Sequence, residues 1–272
     1  MIIASMVILG SITRAWQTHS LEFAVMVALV WSGAVCAIED QLARLCPRPR
    51  WRPFVMAAVL LIALQWRQER VIQPQGIMLV LPMLQGIGLL LLVGSPRRWH
   101  LWRDSLLILA LLPVWSLLRA SIPEAVLSRL TTWLCQILFL SFGADVVVDG
   151  PRLALPGGGV VVTGPCSGSG MVAQLVVVGA IFALLFPTGA GVVRWLFTGL
   201  VMAVAPIFAV LANTLRIALL AVLNASDWPQ KQWWFDYFHS GDGGLVFSLL
   251  AVMAFAPTFF YLQDHLLLDQ QR

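Results

Sequence analysis

Charge is what this chain has least of: Asp, Glu, Lys and Arg make up 11% of its 272 residues. A soluble domain carries roughly 25%, so a solvated shell around a core of this size is excluded. Lysine is nearly missing, with Lys231 alone against 16 arginines, and only two tyrosines occur. The cysteines Cys36, Cys46, Cys135 and Cys166 form no Cys-x-x-Cys pair, which argues against a disulfide framework or a thiol-redox carrier. What remains is apolar: 60% of residues are hydrophobic and the mean hydropathy is +0.87. The composition implies a polytopic membrane protein. Twelve tryptophans suit interfacial anchoring. The basic residues sit in short loops where membrane topology uses them, so the pI of 9.2 needs no nucleic-acid partner.

Apolar runs long enough to span occur at about 21–38, 54–72, 75–94, 102–119, 124–143, 168–187, 192–212 and 243–262, against the ~20 residues a crossing needs. Gln65, Arg67, Gln68 and Glu69 weaken the second run. Met1 to Ile12 is apolar but has neither a basic start nor a small-residue cleavage site. A short first helix is expected there rather than a cleaved leader. No repeat or linker divides the chain, so one integral membrane domain is expected over 1–272, with N-terminal helices over 1–123 and a catalytic core over 124–262.

Arginines set the expected topology. The loops with Arg44, Arg48, Arg50 and Arg52, and with Arg97, Arg98 and Arg103, read as cytoplasmic. Glu124, Ser128, Arg129, Thr131, Thr132 and Gln136 crowd the start of 124–143. That run is expected as an amphipathic helix in the outer interface rather than a plain span. The loops 144–166 and 224–242 then fall outside and Arg194 inside. Between Ala144 and Gly164, short valine and leucine runs alternate with Asp149-Gly150 and Gly157-Gly158-Gly159. This reads as short β segments joined by tight turns. Unpaired strand backbone cannot face lipid, so the element belongs at the membrane surface. The expected fold is an all-α polytopic membrane protein of about seven to eight transmembrane helices, with an outer-face amphipathic helix and a short β element before Cys166.

Three residues capable of chemistry lie at ends of apolar segments, and the arginine-based topology puts all three on one face. Cys166, in Gly164-Pro165-Cys166-Ser167-Gly168-Ser169-Gly170, precedes an apolar helix. A helix N-terminus favours thiolate and lowers a cysteine pKa; the competing reading is a free cysteine acting as a small hydrophobe, as assumed for Cys36 and Cys135. Arg216 follows Asn213 by three residues, on one helix face. Counting 1.5 Å per residue from Val192 places it at the outer boundary, where it either snorkels or serves a polar site by holding a carboxylate or an oxyanion. His239, in Phe238-His239-Ser240-Gly241-Asp242-Gly243, is either an interfacial polar residue or the partner that activates a thiol. Asp242 is a candidate to orient it. His19, His100 and His265 sit in polar flanks and carry no assignment. No His, Cys or carboxylate spacing calls for a metal, and no cofactor is expected.

Together these motifs resemble the exosortase/archaeosortase family of membrane transpeptidases. Its landmarks stand here as Cys166-Ser167-Gly168, Asn213-Thr214-Leu215-Arg216-Ile217 and His239-Ser240-Gly241-Asp242-Gly243. The resemblance covers roughly 124–262. Ile38-Glu39-Asp40-Gln41 and the Arg-Pro-Arg loop are similar to the cyanobacterial branch. Gly164-Pro165 and Ser169 depart from members with an acidic residue before the cysteine and a large one after Cys-Ser-Gly. The resemblance implies an enzyme acting on exported proteins whose C-terminus carries a short Pro-Glu-Pro-like motif, a transmembrane helix and a basic cluster. It implies that Cys166 forms a thioester, His239 moves the protons and Arg216 stabilises the oxyanion, with transfer to a surface acceptor. Asn213, Ser167 and Gly168 would support the site.

Two other classes compete. A hydrolytic membrane protease would resolve the same thioester with water; a version using Ser167 or Ser169 lacks a Gly-x-Ser-Gly elbow. A non-enzymatic transporter or assembly factor would want mid-depth charges or broken helices in matching halves, and Pro206 is the one strong break.

Overall fold

The computed structural model describes residues 2–18, 21–42, 51–70, 76–93, 100–239 and 242–270. The loop arginines Arg44, Arg48, Arg50, Arg97 and Arg98, together with Cys46, His19, Ser240 and Gly241, lie outside the described residues. Apolar, Leu/Ala/Val-rich runs interrupted by little glycine form helices, and ten are described: α1 (Ile2–Thr18), α2 (Leu21–Leu42), α3 (Trp51–Arg70), α4 (Ile77–Val93), α5 (Arg103–Ser121), α6 (Glu124–Ser141), α7 (Ser169–Leu185), α8 (Val192–Ala225), α9 (Lys231–His239) and α10 (Gly244–Gln270). Four contain stretches long and apolar enough to cross a membrane: Leu21–Glu39, Arg103–Ser121, Val192–Ala225 and Gly244–Leu266. Shorter apolar helices cover Phe54–Leu64, Ile77–Leu92 and Ser169–Leu185. The all-α polytopic membrane class holds.

The chain forms two compact units, Met1–Leu117 with Ala180–Pro187, and Leu118–Gly179 with Thr188–Arg272. In the first, helices approach over small residues. A Cβ on Gly33 would lie 3.0 Å from Ile181 and one on Gly88 2.7 Å from Leu61. Buried polar groups pair between helices: Trp31 Nε1 donates to Ser11 Oγ (2.8 Å) and Ser105 Oγ to the Ala34 carbonyl (2.8 Å). Both are ways to join helices when lipid is as apolar as their side chains.

The second unit holds every candidate site residue, and α8 is its spine. The expected helix over 192–212 continues without interruption to Ala225, because after Pro206 nothing between Ile207 and Ala225 breaks helix. Its 34 residues come to about 50 Å, well beyond a ~30 Å hydrocarbon core. The C-terminal end therefore becomes a post on which other elements pack. Against its other half lies α10, through Phe197–Phe259 and Phe208–Phe255 at ring separations of 5.3 and 6.0 Å.

The expected β segments form a three-stranded antiparallel sheet, β1 (Val147–Asp149), β2 (Arg152–Leu155) and β3 (Gly158–Val161), in the order β1-β2-β3. Asp149 faces Arg152 across one hairpin, and Leu155 faces Gly158 across the other. In the second turn Pro156 supplies the fixed φ and Gly157 the positive one (φ 93). Gly158 lies so close to α8 that a Cβ there would come within 2.7 Å of the Asn224 carbonyl oxygen. Leu153, fully buried, joins Val162, Cys166, Ile217 and Leu220 in one cluster.

α6 is not among the helices long and apolar enough to span. Its small polar residues Ser128, Thr131 and Thr132 turn inward with Cys135 and Phe139, while Val126, Trp133, Ile137 and Leu140 are exposed. The hydroxyl of Thr132 lies 2.9 Å from the Gly150 carbonyl oxygen, linking α6 to the first hairpin. The region read as the loop 224–242 contains the helix α9. Its aromatic residues recur at helical spacing and stack along one another, as Trp234 does on Phe238 (5.7 Å) and Phe235 on His239 (5.2 Å).

Candidate active site

The cysteine turn is built by two glycines. Gly164 opens a 3-10 turn over Gly164–Ser167 at φ 51, and Gly168 closes it at φ 88. An L-residue adopts neither value cheaply. The Gly168 carbonyl accepts from Val172 N (2.9 Å) and so starts α7. Cys166 thus stands on the turn before α7 rather than in its first turn. Space matters as much as φ, since a Cβ on Gly168 would lie 2.7 Å from Asn213 Nδ2. That amide nitrogen donates to the Cys166 carbonyl at 3.1 Å.

Facing the thiol is the end of α9. Cys166 Sγ lies 3.0 Å from His239 Nδ1. Arg216, on α8 one turn beyond Asn213, donates from Nε to the Phe238 carbonyl (2.9 Å) and from Nη2 to the His239 carbonyl (2.6 Å). Those carbonyls end a helix and lack intrahelical partners, and a cation there is favoured by the helix dipole. Gly244 keeps its backbone close, its missing Cβ position being 3.6 Å from Arg216 Nη2. Cys166, Arg216, His239 and Asn213 therefore meet in one place.

The electrostatics run against a resting thiolate. Burial pushes the Cys166 thiol up, and the nearby Arg216 charge offsets this only in part. The expected lowering by the helix N-terminus does not prevail, because Cys166 is 4% exposed and sits a turn short of α7. Burial also holds the His239 imidazole below its ordinary value, helped by Arg216 and opposed by Asp236. Both causes keep the pair as neutral thiol and neutral imidazole. For Nδ1 to accept the thiol proton the ring must carry its own hydrogen on Nε2.

The remaining candidates divide. Ser167 is buried and its Oγ accepts from Ser169 N at 3.4 Å, within the turn. Asp242 is exposed at the start of α10, with its main-chain carbonyl accepting from Leu245 N. Among the described residues no hydrogen bond joins Asp242 to His239; the carboxylate whose charge reaches the imidazole belongs to Asp236, one turn back on α9. Among the described residues no group of three or more His, Cys, Asp or Glu gathers in metal-ligand geometry.

A family model described as transmembrane exosortase matches residues 15–256. The chain belongs to the transmembrane exosortase family. It is thereby a multi-pass membrane protein of a family tied to transpeptidase-type processing of sorting signals on exported proteins. No match was found among curated proteins or among solved structures. The exosortase match starts within α1 and so reaches far beyond 124–262, where the motifs alone carried the resemblance.

Within the candidate site of this exosortase-family chain, sequence reasoning passed over Asp236, Phe235 and Thr131. Asp236 and Phe235 precede His239 by three and four residues, which is adjacency on a helix; the signal existed once α9 was read as helical rather than as loop. Thr131 was noticed only as polarity in α6. Its Oγ1 lies 3.5 Å from Asn213 Nδ2, a neighbour that no local pattern indicates.

Proposed function

We propose that this protein is a membrane-embedded cysteine transpeptidase that cleaves C-terminal sorting signals of exported proteins at the outer face of the plasma membrane. Its substrates carry a short Pro-Glu-Pro-like motif, one transmembrane helix and a basic cluster, and the cleaved protein passes to a surface acceptor. The observation that carries this reading is the 3.0 Å approach of Cys166 Sγ to His239 Nδ1, beside the Arg216 guanidinium.

The chemistry follows from the neutral pair. As Sγ attacks the scissile carbonyl carbon, its proton moves to Nδ1, so a buried thiolate never has to stand free. The carbonyl oxygen takes the negative charge, and the Arg216 cation stabilises it in a site of low dielectric. Collapse breaks the C–N bond, the imidazolium protonates the leaving amine, and the acyl group remains on Cys166 as a thioester. His239 then deprotonates the incoming nucleophile and Cys166 leaves as the thiol. A substrate held in the same bilayer reaches the site at high effective concentration, which suits a scissile bond just outside the membrane.

Co-expression of a reporter bearing such a signal with wild type and with Cys166→Ala tests this. Loss of the C-terminal anchor is expected with wild type alone; equal processing by both would overturn the proposal. Mass spectrometry of the released C-terminus separates transfer, which adds an acceptor mass, from hydrolysis, which leaves a free carboxylate.

A further inference from the structure

We infer that Asn213 and Arg216 work as one jig on α8, setting the sulfur–imidazole distance by gripping the main chain of the two reacting residues. The inference rests on Cys166 and His239 being the reacting pair. Asn213 Nδ2 holds the carbonyl of Cys166 at 3.1 Å, and Arg216 Nη2 holds the carbonyl of His239 at 2.6 Å. The two side chains are three residues apart, hence on one face of a helix. A carbonyl only accepts, so the amide of Asn213 must turn its nitrogen towards Cys166; its Oδ1, buried, has no protein partner. Asn213 is 1% exposed and Arg216 8%, so neither grip competes with bulk water.

The grip on His239 is two-pronged, because Arg216 Nε takes the Phe238 carbonyl at 2.9 Å. Only a planar fork donates along both of these directions at once; an ammonium is a point charge without that geometry. The other end of α9 is tied to the residue that caps α8, where Lys231 Nζ donates to the Ser226 carbonyl at 2.8 Å. Phe235 stacks on the imidazole from within α9 and packs against the cluster containing Cys166. The imidazole is therefore carried on a short arm fastened to α8 at both ends, and the turn bearing the thiol is fastened to the same helix. Asn213 and Arg216 are positioning residues. The charge of Arg216 acts in addition, and a lysine would retain it.

The test needs no substrate. The full-length protein is treated with iodoacetamide across pH, and alkylation at Cys166 is followed by peptide mass spectrometry. The charged and titratable groups facing the pair are Arg216 from α8 and Asp236 from α9, so variants are chosen to leave both charges in place. In wild type the rate is expected to show an acid limb that His239→Ala abolishes. Arg216→Lys keeps the charge but loses the fork. It is expected to remove the His239-dependent limb and to slow alkylation on the order of 100-fold, the scale of a misplacement near 1 Å. In the His239→Ala background Arg216→Lys is expected to change nothing further. Asn213→Leu, close in volume but without a donor, is expected to uncouple the pair in the same way. A His239-dependent limb that survives in Arg216→Lys, or an equal cost of that substitution with and without His239, would overturn the inference. Should Asn213→Leu fail to fold, the Arg216→Lys cycle decides alone. Failure of reporter processing with this coupling intact would count against the proposed function and leave the jig standing.

Discussion

At the residue scale, the proposed reaction has the pair Cys166–His239 begin uncharged. Burial raises the thiol and lowers the imidazole, so proton transfer accompanies attack instead of preceding it. Protonated His239 cannot accept the thiol proton, and its folded value lies below the ordinary 6.5. Activity should therefore persist as pH falls through that value and be lost only at lower pH. Asp236→Asn removes the one nearby charge that raises the imidazole and leaves the Arg216 grip intact, so the acid limb should move down in pH; a pH–rate profile of reporter cleavage reads both. An unmoved limb would mean the Asp236 charge does not reach the ring. His239→Ala should slow cleavage by about 10²–10⁴-fold, the usual contribution of a general base. Gly168→Ala forces a side chain into φ 88 and onto Asn213. It should cost more than about 1 kcal/mol of stability and reduce thiol coupling as well, measured by thermal unfolding in detergent and alkylation of Cys166.

At the element scale, the sheet and α9 are both dressed onto the end of α8 that the apolar pattern did not require. The β2–β3 hairpin approaches Asn224 and Ala225 so closely that Gly158 has no room for a Cβ. Gly158→Val should push the hairpin off α8 at a cost of about 1–3 kcal/mol, as overpacking does. Because β3 leads straight to the cysteine turn, the same variant should slow Cys166 alkylation. Melting and alkylation unchanged from wild type would show that the hairpin does not bear on α8. The strands themselves were legible, since Gly and Pro punctuation marks short turns wherever it falls. The helix α9 was harder to read: with Trp233, Trp234, Phe235, Tyr237 and Phe238 nearly contiguous, aromatic pairs fall at every spacing and the helical one does not stand out, and the segment is fastened at Ser226 and Arg216.

At the scale of the whole molecule, the proposed orientation has Arg194 inside and the α8–α9 junction outside. Asp227→Cys should react with a membrane-impermeant maleimide in intact cells, and Ala190→Cys only after permeabilisation. The reverse pattern would put the thiol–imidazole pair on the cytoplasmic face. The observed α8, at 34 residues rather than the expected run of 192–212, is too long for the hydrocarbon core alone, so one of its ends stands clear of the membrane for labelling.

Composition and apolar run length determined the membrane class and most helix positions, and left Cys166, Arg216 and His239 standing out as candidate site residues. Those properties are local: a run of ~20 apolar residues partitions as it does whatever surrounds it, and Cys, Arg and His are scarce enough here to stand out. Position and protonation were decided by tertiary structure. Whether Asp242 or Asp236 acts on the ring depends on α9 staying helical as far as His239, and whether the thiol rests neutral depends on distances of a few ångströms between segments far apart in the chain, 73 residues for Cys166 and His239. Electrostatic energy and desolvation vary steeply over such distances, and no spacing along the chain encodes them.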